Sequence, residues 1–421
     1  MRTLKAITAR LGHETSGSDL SSGGHDPKNV EGANLVVFTG AITSDNPELA
    51  AARDRGIPTI ERSDYLAAIA AAFGQVIAIA GSHGKTTTTA LTAAATESLN
   101  PTVHIGGDYD FRGDGTEYFI TEACEFRRSF LSLSPDVGVI LNAELDHTDC
   151  YHSEAEAVEA FMTFGRQCRK LYVNGDDPRL SAEKIRSACS ATGNCKVAPS
   201  EITTFGLGEN CAVRAVGLCA DESNRYSFSL FFLGVNMGRL HPNLVGKHNV
   251  YNALAAAAVA LGEGVSMSEI AHTFADFKGV ARRMETLGVV NGARIIADYA
   301  HHPTEIRALI SAIKGRGRLI VVFEPHTYSR TRDLFDRFKT CFCGADEVVL
   351  LPVFAAREKT GNVTSVDLYN EIAKLMPARY FGSYDEAENY LRGEICEGDT
   401  VAFVGAGTIY NAAKVFCNSK K

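Results

Sequence analysis

Short apolar runs alternate with longer segments of helical hydrophobic spacing along almost the whole chain. The run Val76–Ala80 is apolar throughout, as in a strand buried on both faces, whereas Leu4, Ile7 and Leu11 recur at helical spacing. Strands and helices in alternation are typical of parallel sheets covered by helices. The pattern therefore predicts the α/β class.

Three successive series of strands and helices predict three domains. The first series opens on a helix at Thr3–Leu11 and closes on a helix at Tyr65–Phe73, and the second includes an alanine-rich helix at His248–Leu261. We place the domains at residues 1–74, 75–281 and 282–421. The other predicted strands are Leu35–Phe38, Tyr118–Thr121, Val137–Leu141, Arg294–Ala297, Leu319–Phe323, Val348–Leu351 and Val401–Val404.

Length and composition agree with this organisation and narrow the class of partner. The chain has 421 residues, and domains average about 150 residues. A formal net charge of −8 argues against a nucleic-acid backbone or an anionic membrane as the main partner and favours a small molecule. Eleven cysteines lack any C-x-x-C pair, so we expect reduced thiols and a cytoplasmic protein. We expect no membrane insertion, because the longest apolar segment, Tyr65–Gly81, is too short to span a bilayer.

A glycine-rich segment directly follows the strand Val76–Ala80 and precedes a helix. Backbone N–H groups at such a turn can bind phosphate oxygens, Lys85 can reach the β- and γ-phosphates, and the Thr86 hydroxyl can hold Mg²⁺. The spacing G-x-x-G-K-T makes it a variant phosphate loop, and a plain glycine turn with a solvated lysine is the alternative. The candidate ATP-binding residues here are Gly81, Ser82, His83, Gly84, Lys85, Thr86 and Thr87.

Acidic and histidine side chains follow two further strands of the second series. Glu122 comes after Tyr118–Thr121, and His147 ends the segment NAELDH, which follows Val137–Leu141. Because the carboxyl ends of parallel strands meet at one edge of a sheet, both side chains would lie near the phosphate loop. Taken alone, His147 would more often be a packed or surface histidine, but this position favours a second Mg²⁺ held by the two side chains.

Two asparagines one turn apart open the alanine-rich helix. The amides of Asn249 and Asn252 suit recognition of a neutral heterocycle such as adenine, and capping of the helix by Asn249 is the alternative. Further along, Arg282 and Arg283 could hold a transferring phosphoryl group or form a solvated pair at a hinge.

Polar clusters follow two strands of the third series, at residues 298–305 (DYAHHPTE) and 324–333 (EPHTYSRTRD). Both would lie at the carboxyl edge of a sheet, where ligands bind. His301 and His302 invite a zinc-site interpretation, which we disfavour because adjacent side chains diverge and no third ligand stands at fixed spacing. The glycines at 405–407 are a weak dinucleotide-binding signal without a third glycine or an acidic partner.

The chain resembles the Mur ligase family through a series of motifs. In order these are GSHGKTTTT, EACE, NAELDH, GKHNVYNALAAA, GVARRMETLG, DYAHHPTE, PHTYSRTRDLF and GAGTI, and GSDL and AITSDNPE of the first domain match as well. DYAHHPTE and PHTYSRTRD are similar to the branch that joins L-alanine to UDP-N-acetylmuramate in peptidoglycan synthesis. The resemblance implies a Rossmann-like UDP-binding first domain, a central ATPase domain, a Rossmann-like third domain, and an acyl-phosphate intermediate.

The resemblance also implies roles for single residues, with ATP and Mg²⁺ as cofactors. Outside the loop, the residues that would bind ATP are Asn249, Asn252, Arg283 and Asp298. Those that would hold Mg²⁺ are Thr86, Glu122 and His147. Those that would surround L-alanine are Tyr299, His301, His326 and Arg330, and those that would contact the UDP-sugar are Asp19 and Ser44. The expected catalytic residues are Lys85, Glu122, His147, Arg283 and His301.

Three features depart from the pattern of the wider family. The helix after the predicted metal-binding histidine reads Phe161-Met162-Thr163 and lacks a lysine that several members carbamoylate, as does the branch that adds L-alanine. The family segment PHRY has Thr327 in place of its arginine, which puts one carboxylate or phosphate contact in doubt. The family begins with a strand and the loop G-x-G-G-x-G-M, and this chain starts at that methionine, so we expect the true start to lie upstream.

Two other functions stay open at this stage. One is a recycling ligase that joins a preformed peptide to the same UDP-sugar, which would need a wider pocket in the third domain. The other is a catalytically silent nucleotide-binding paralogue. For the assembly we expect a monomer or a weak homodimer.

Overall fold

The computed structural model of the protein describes residues 1–19, 24–40, 42–106, 113–192, 195–315, 317–356 and 358–419. Its contacts divide the chain into two compact units. The first comprises Met1–Ala143 and Val158–Phe205, and the second comprises Glu144–Ala157 and Gly206–Lys421. The short segment Glu144–Ala157 therefore belongs with the C-terminal half of the chain.

The first unit contains two parallel sheets. Its strands are β1 (Val36–Phe38), β2 (Thr59–Glu61), β3 (Gln75–Ala80), β4 (Thr102–His104), β5 (Tyr118–Ala123), β6 (Val137–Ile140), β7 (Lys170–Asn174) and β8 (Ile202–Gly206). β1 pairs with β2, and the six other strands lie in the order β8-β7-β6-β3-β5-β4, with every neighbouring pair parallel. The helices in this part of the chain are α1 (Arg2–Arg10), α2 (Pro47–Asp54), α3 (Arg62–Ala70), α4 (Lys85–Ala95), α5 (Glu154–Gln167) and α6 (Ala182–Thr192).

The central position of β3 decides where chemistry can occur in the first unit. Residues 77–80 are fully buried, as expected of an apolar strand with neighbours on both sides and helices on its faces. Ala80 lies opposite Ala123 of β5 and Ile140 of β6. The chain segments that follow these three strands therefore meet at one edge of the sheet, as predicted.

The second unit begins with antiparallel strands that the sequence pattern did not predict. They are β9 (Val213–Ala220), β10 (Tyr226–Phe232) and β11 (Val235–Leu240), followed by α7 (His248–Gly262) and α8 (Met267–Asp276). β11 escapes prediction because most of its side chains are exposed and it lacks apolar alternation. α7 is buried on nearly all sides, which its small alanine side chains permit.

The remainder of the second unit is a six-stranded sheet with helices on both faces. Its strands are β12 (Glu285–Val290), β13 (Ala293–Asp298), β14 (Leu319–Phe323), β15 (Glu347–Leu350), β16 (Ala378–Tyr380) and β17 (Thr400–Val404), in the order β12-β13-β17-β14-β15-β16. β12 is antiparallel to β13 and the other pairs are parallel. The helices are α9 (Pro303–Ile313), α10 (Tyr328–Asp333), α11 (Phe335–Phe338), α12 (Ser365–Ile372), α13 (Tyr384–Glu394) and α14 (Ile409–Asn418). Separate apolar cores fill the two faces.

The α/β class is confirmed, and one expectation about cysteines is corrected. Cys189 and Cys195 form a disulfide across a local loop, while the other nine cysteines are free thiols. The search for C-x-x-C pairs did not reveal this disulfide, because its two cysteines have a sequence separation of 6. Within the described ranges, every helix is too short or too polar to cross a membrane.

Candidate active site

The glycine-rich segment forms a tight turn between β3 and α4. Gly81 has a φ of 150° and Gly84 a φ of 84°, both in the region that favours glycine. A Cβ atom at Gly81 would lie 2.9 Å from Cβ of Leu141, so a side chain there would clash with the end of the neighbouring strand. α4 begins at Lys85, which places its N-terminus, a favourable position for phosphate, beside the turn. The turn therefore has the backbone that phosphate binding requires.

Lys85 is held over this turn as a cation. Its Nζ lies 2.9 Å from Oε2 of Glu125 and donates to the carbonyl oxygens of Gly81 and Ser82. Burial alone would lower the pKa of Lys85, but the carboxylate of Glu125 outweighs it and raises that pKa above its ordinary value. The alternative of a solvated lysine is therefore wrong, since the side chain is only 16% exposed.

Asn142 fixes the turn from the neighbouring strand end, a role that the sequence analysis missed. Its Oδ1 accepts a hydrogen bond of 2.8 Å from the His83 N–H, and its Nδ2 donates one of 3.0 Å to the His83 carbonyl oxygen. The Ser82 N–H also donates to the Asn142 carbonyl oxygen. The position of Asn142 just past β6, level with the loop, was the signal that could have identified it.

Glu122 offers a carboxylate oxygen suited to a hard cation. Its Oε2 accepts a hydrogen bond of 3.0 Å from the Gly106 N–H, whereas Oε1 is buried and has no hydrogen-bond partner within the described part of the chain. A buried carboxylate oxygen without a partner is unfavourable unless a cation or proton neutralises it. The residues of the first unit therefore fit a magnesium ion, and Thr86 lies half-buried on the first turn of α4.

His147 lies in the segment 144–157 of the second unit, so the structure does not join it to Glu122 within one unit. Its backbone has a φ of 53°, in the left-handed region. Its Nε2 lies 3.9 Å from Oδ2 of Asp146, and its side chain is 23% exposed. A metal ion shared by Glu122 and His147 stays a prediction.

A buried ion pair lies at the centre of the candidate amino-acid site. Oδ1 of Asp146 lies 3.0 Å from Nε and 2.9 Å from Nη2 of Arg330, and both side chains are almost fully buried. Nη1 of Arg330 lies 3.2 Å from Nδ1 of His326. Burial alone would raise the pKa of Asp146, but Arg330 outweighs it and holds that pKa well below its usual range. Asp146 lies in the motif NAELDH, but the motif alone did not assign it to the site.

His301 and Tyr299 complete this cluster. Nδ1 of His301 lies 3.0 Å from the carbonyl oxygen of Tyr299, and since a carbonyl only accepts, Nδ1 carries the proton and Nε2 remains an acceptor. Burial, with a smaller contribution from Arg330, lowers the pKa of His301 to about 3, so the imidazole is neutral. The ring of His301 lies 5.5 Å from that of Tyr299 and 5.9 Å from that of His326. The four predicted amino-acid residues are thus brought together.

Asp298 ends β13 and accepts two short backbone hydrogen bonds. The N–H groups of Met284 and Ala300 each lie 2.7 Å from its carboxylate oxygens. Burial raises the pKa of Asp298 to about 6, although Arg283 and the two backbone bonds oppose that shift. Arg283 and Asp298, both predicted at the nucleotide site, therefore interact electrostatically.

The solvated-hinge alternative for the arginine pair is wrong for Arg282. Its guanidinium carbon lies 4.9 Å from the ring centre of Tyr299 and 5.0 Å from that of Tyr410, and Nη2 donates to the Gly407 carbonyl oxygen. Arg283 stacks on Tyr299 as well, at 5.0 Å. Cation–π contacts therefore fix both arginines relative to the candidate amino-acid site.

Asn249 and Asn252 lie buried near the start of α7 and are hydrogen-bonded to one another. Nδ2 of Asn252 donates a hydrogen bond of 2.8 Å to Oδ1 of Asn249, whose own Nδ2 donates to the Val245 carbonyl oxygen. Lys247 is the N-cap of α7, and Asn249 follows it inside the helix. The capping alternative for Asn249 is therefore wrong, and adenine recognition stays a prediction.

The predicted UDP-sugar residues Asp19 and Ser44 both lie in exposed loops of the first unit. The carbonyl oxygen of Ser44 accepts a hydrogen bond from Arg53 of α2. In the second unit, Thr327 replaces the family arginine, adopts a φ of 67° and accepts the Arg330 N–H at the start of α10. Thr327 thus caps a helix where the family motif carries a charge.

His301 and His302, which directly precede α9, have different partners. His301 bonds to Tyr299, whereas His302 is fully buried, accepts the Thr304 N–H on Nδ1 and lies 3.9 Å from Glu144. The two rings therefore have different surroundings, although the residues are adjacent in sequence. The two imidazoles are therefore used separately.

The glycine turn at 405–407 contains an anion supplied by the chain itself. The carboxylate of Glu324, at the end of β14, accepts hydrogen bonds from the Tyr384 hydroxyl, the Thr408 hydroxyl and the Ile409 N–H at the start of α14. A Cβ atom at Gly407 would clash with Oε2 of Glu324. The turn is shaped around Glu324, which accounts for the incomplete dinucleotide signal.

Comparison with known proteins assigns a family to this arrangement. Family models match at residues 1–74 (Mur ligase family, catalytic domain), 79–260 (Mur ligase middle domain) and 282–407 (Mur ligase, glutamate ligase domain). The chain belongs to the Mur ligase family.

Its relatives point to one branch of that family. A UDP-N-acetylmuramate–L-alanine ligase of Clostridium acetobutylicum is 38% identical over 99% of this chain and 94% of its own length. The crystal structure of the UDP-N-acetylmuramate-alanine ligase of Thermotoga maritima has a TM-score of 0.76 and 25% identity, covering 98% of this chain and 89% of that one. A murein peptide ligase of Psychrobacter arcticus shares the fold, with a TM-score of 0.71 and 22% identity over 100% of this chain and 97% of that one.

Proposed function

We propose that this protein is an ATP-dependent ligase that joins L-alanine to UDP-N-acetylmuramate in peptidoglycan synthesis. One observation carries the proposal: a largely buried, cationic lysine, Lys85, in a glycine turn between a strand and a helix, which is the arrangement that binds nucleotide phosphates. The choice of substrates is supported by the Clostridium acetobutylicum ligase, which is similar to this chain over nearly its whole length.

The residue types suit activation of a carboxylate. A carboxylate is a poor acyl donor, so its oxygen must first attack the γ-phosphorus of ATP, which forms an acyl phosphate and releases ADP. Fixed positive charge favours that transfer, because several anionic groups come together. We assign Lys85 to the phosphates and Arg283 to the transferring phosphoryl group. Mg²⁺, which Thr86, Glu122 and His147 would hold, supplies further charge neutralisation when bound.

The cluster in the second unit suits the second half-reaction. Arg330 and His326 would bind the carboxylate of L-alanine through charge-assisted hydrogen bonds. The neutral amine forms the C–N bond as the C–O bond to phosphate breaks, and the proton that the nitrogen loses leaves with the released phosphate. Nε2 of the neutral His301 would accept a hydrogen bond from the amine and orient it, since a pKa of about 3 makes His301 a poor proton store at neutral pH.

A coupled assay of ADP release tests the proposal. We expect ADP formation to require both UDP-N-acetylmuramate and an amino acid, with L-alanine preferred over L-serine and glycine. A Lys85→Ala variant is the negative control for phosphate transfer. ADP release that ignores the UDP-sugar, or no release with any amino acid, would contradict the assignment.

The recycling ligase is the nearest alternative within the family. The same assay separates it, because a recycling enzyme would respond to a preformed peptide and not to free L-alanine. A silent nucleotide-binding paralogue would bind ATP and release no ADP under either condition. Binding of an ATP analogue, measured alongside turnover, distinguishes that outcome from a misfolded sample.

A further inference from the structure

Asp146 occupies an unusual position for a residue outside the predicted site. Its carboxylate is 5% exposed and lies within a cluster of nitrogen-containing side chains. Oδ1 faces the Arg330 guanidinium and also accepts a hydrogen bond of 2.7 Å from the His147 N–H, while Oδ2 lies 3.9 Å from Nε2 of both His147 and His301. One carboxylate thus faces three residues that the family resemblance assigns to catalysis or to substrate binding.

The ion pair determines which edge of the Arg330 guanidinium can meet a substrate. Asp146 takes Nε and Nη2, and the remaining nitrogen, Nη1, lies 3.2 Å from Nδ1 of His326 and donates a hydrogen bond of 3.3 Å to the His326 carbonyl oxygen. A planar guanidinium bound on one edge cannot rotate without losing both bonds. A substrate carboxylate would therefore be received at the Nη1 edge, where it would replace a contact that Nη1 makes with His326.

The chain segment that carries Asp146 also supports a functional role for this residue. It lies in the segment 144–157, which leaves the end of β6 and packs within the second unit, and it is 184 residues from Arg330. The backbone of the next residue, His147, is left-handed with a φ of 53°. Left-handed backbone at a non-glycine residue persists where surrounding contacts fix it, and such positions concentrate at functional sites. The bond from the His147 N–H to Asp146 is one of those contacts.

We propose that Asp146 is a positioning residue, which orients Arg330 so that its Nη1 edge, together with His326, selects and holds the incoming amino acid. This inference rests on the proposed function. It assigns to Asp146 no contact with the substrate, only with the groups that bind it. Loss of the carboxylate should therefore weaken amino-acid binding more than ATP binding.

Glu144 in the same segment provides a matched control. It is also buried and also pairs with an arginine of the second unit, Arg337, and it accepts a hydrogen bond of 2.9 Å from the Thr304 hydroxyl. Its ion-pair partner is outside the candidate amino-acid cluster. Glu144→Gln should therefore reproduce the loss of a buried carboxylate that pairs with an arginine, without the effect on amino-acid binding.

The experiment compares Asp146→Asn with Glu144→Gln by steady-state kinetics and thermal unfolding. We expect Asp146→Asn to raise KM for L-alanine at least about tenfold with KM for ATP changed less than about twofold, and Asp146→Glu to recover part of the loss. Glu144→Gln should lower the unfolding temperature with KM for L-alanine unchanged. An unchanged KM in folded Asp146→Asn, or equal rises for both substrates and both variants, would overturn the proposal.

A second pair of variants covers the case in which Asp146→Asn does not fold. Arg330→Gln and the double variant Asp146→Asn/Arg330→Gln should have the same KM for the amino acid, because Asp146 acts through Arg330. A further multiplicative rise in the double variant would overturn the inference. If the wild-type protein prefers another amino acid, that substrate replaces L-alanine, so that failure of the proposed function is distinguished from failure of the role of Asp146.

Discussion

The phosphate loop and the Asp146 cluster are built in opposite ways. The loop is contiguous, and its shape follows from backbone requirements at Gly81 and Gly84, whose φ values few other residues adopt. The Asp146 cluster depends on side chains far apart in sequence, with Arg330 located 184 residues from Asp146. Local sequence therefore specifies the first site, whereas the second exists only after the chain has folded. The two sites should respond differently to substitution.

The largest expected effect is at the loop. Lys85→Ala removes the cation that faces the phosphates, and loss of one such electrostatic contact lowers kcat by about 100-fold or more. Lys85→Ala also removes the ion pair with the buried Glu125 carboxylate, so thermal unfolding is measured alongside to establish that the variant is folded. ADP release measures the loss, and Lys184→Ala on the exposed face of α6 is the control. Near-normal turnover in folded Lys85→Ala would refute the phosphate-loop assignment.

The next effect tests whether Glu122 and His147 hold the same metal ion. Glu122→Ala and His147→Ala should each raise the Mg²⁺ concentration needed for half-maximal activity by about tenfold or more. Because both would hold one ion, the double variant should add little to either single change. Titration of activity with Mg²⁺ measures this, and Glu117→Gln, exposed at the opposite end of β5, serves as the control. Fully additive losses at unchanged Mg²⁺ dependence would separate the two residues.

A smaller effect is expected at Arg330. Lysine keeps the charge but cannot bond Asp146 through two nitrogens and still reach a substrate, so Arg330→Lys should raise KM for L-alanine by about tenfold and leave KM for ATP nearly unchanged. Arg332 on the same helix is 60% exposed and pairs with Asp333, so Arg332→Lys is the matched control. Equal kinetics for the two variants would remove Arg330 from the amino-acid site.

The smallest effect concerns the pH dependence of stability and follows from buried histidines, of which His104 lies in the first unit and His248 in the second. Burial lowers the pKa of His104 to about 3 and that of His248 to about 4, with Glu305 opposing the shift at His248. In the unfolded chain both take up a proton below about pH 6.5. The unfolded state then binds more protons, so stability falls as the pH drops from about 6.5 to 4. Urea midpoints should show this decline.

Substitution of one buried and one exposed histidine tests whether the buried histidines cause this decline in stability. His248→Gln should flatten the pH dependence relative to the wild-type protein, because one of the three histidines whose pKa burial lowers, His104, His248 and His301, is gone. His272→Gln is the control, since His272 is 84% exposed and its side chain is hydrated in both states. A decline that is identical in all three proteins would assign the acid sensitivity to other groups.

The sequence was informative wherever function depends on strand ends. Apolar runs such as Leu319–Phe323 identified buried strands to within a residue or two, and the residues after them met at the predicted sheet edges. It was uninformative where packing decides. The exposed strand β11 has no apolar alternation, and the pairing of Asp146 with Arg330 depends on how a 14-residue segment groups with the second unit. The role of Asn142 was missed because its bonds are to backbone atoms of another loop.

The carboxylate of Glu324 in the turn at 405–407 has a consequence for inhibitor selectivity. A compound that imitates a dinucleotide places its diphosphate at the glycine turn of a Rossmann-like domain. Here it would compete with an anion tethered to the same domain, and displacing Glu324 would leave a buried carboxylate without the three donors it now has. Dinucleotide mimics developed against dehydrogenases should therefore bind this domain weakly. Compounds that fit the loop at Lys85 should not have this limitation.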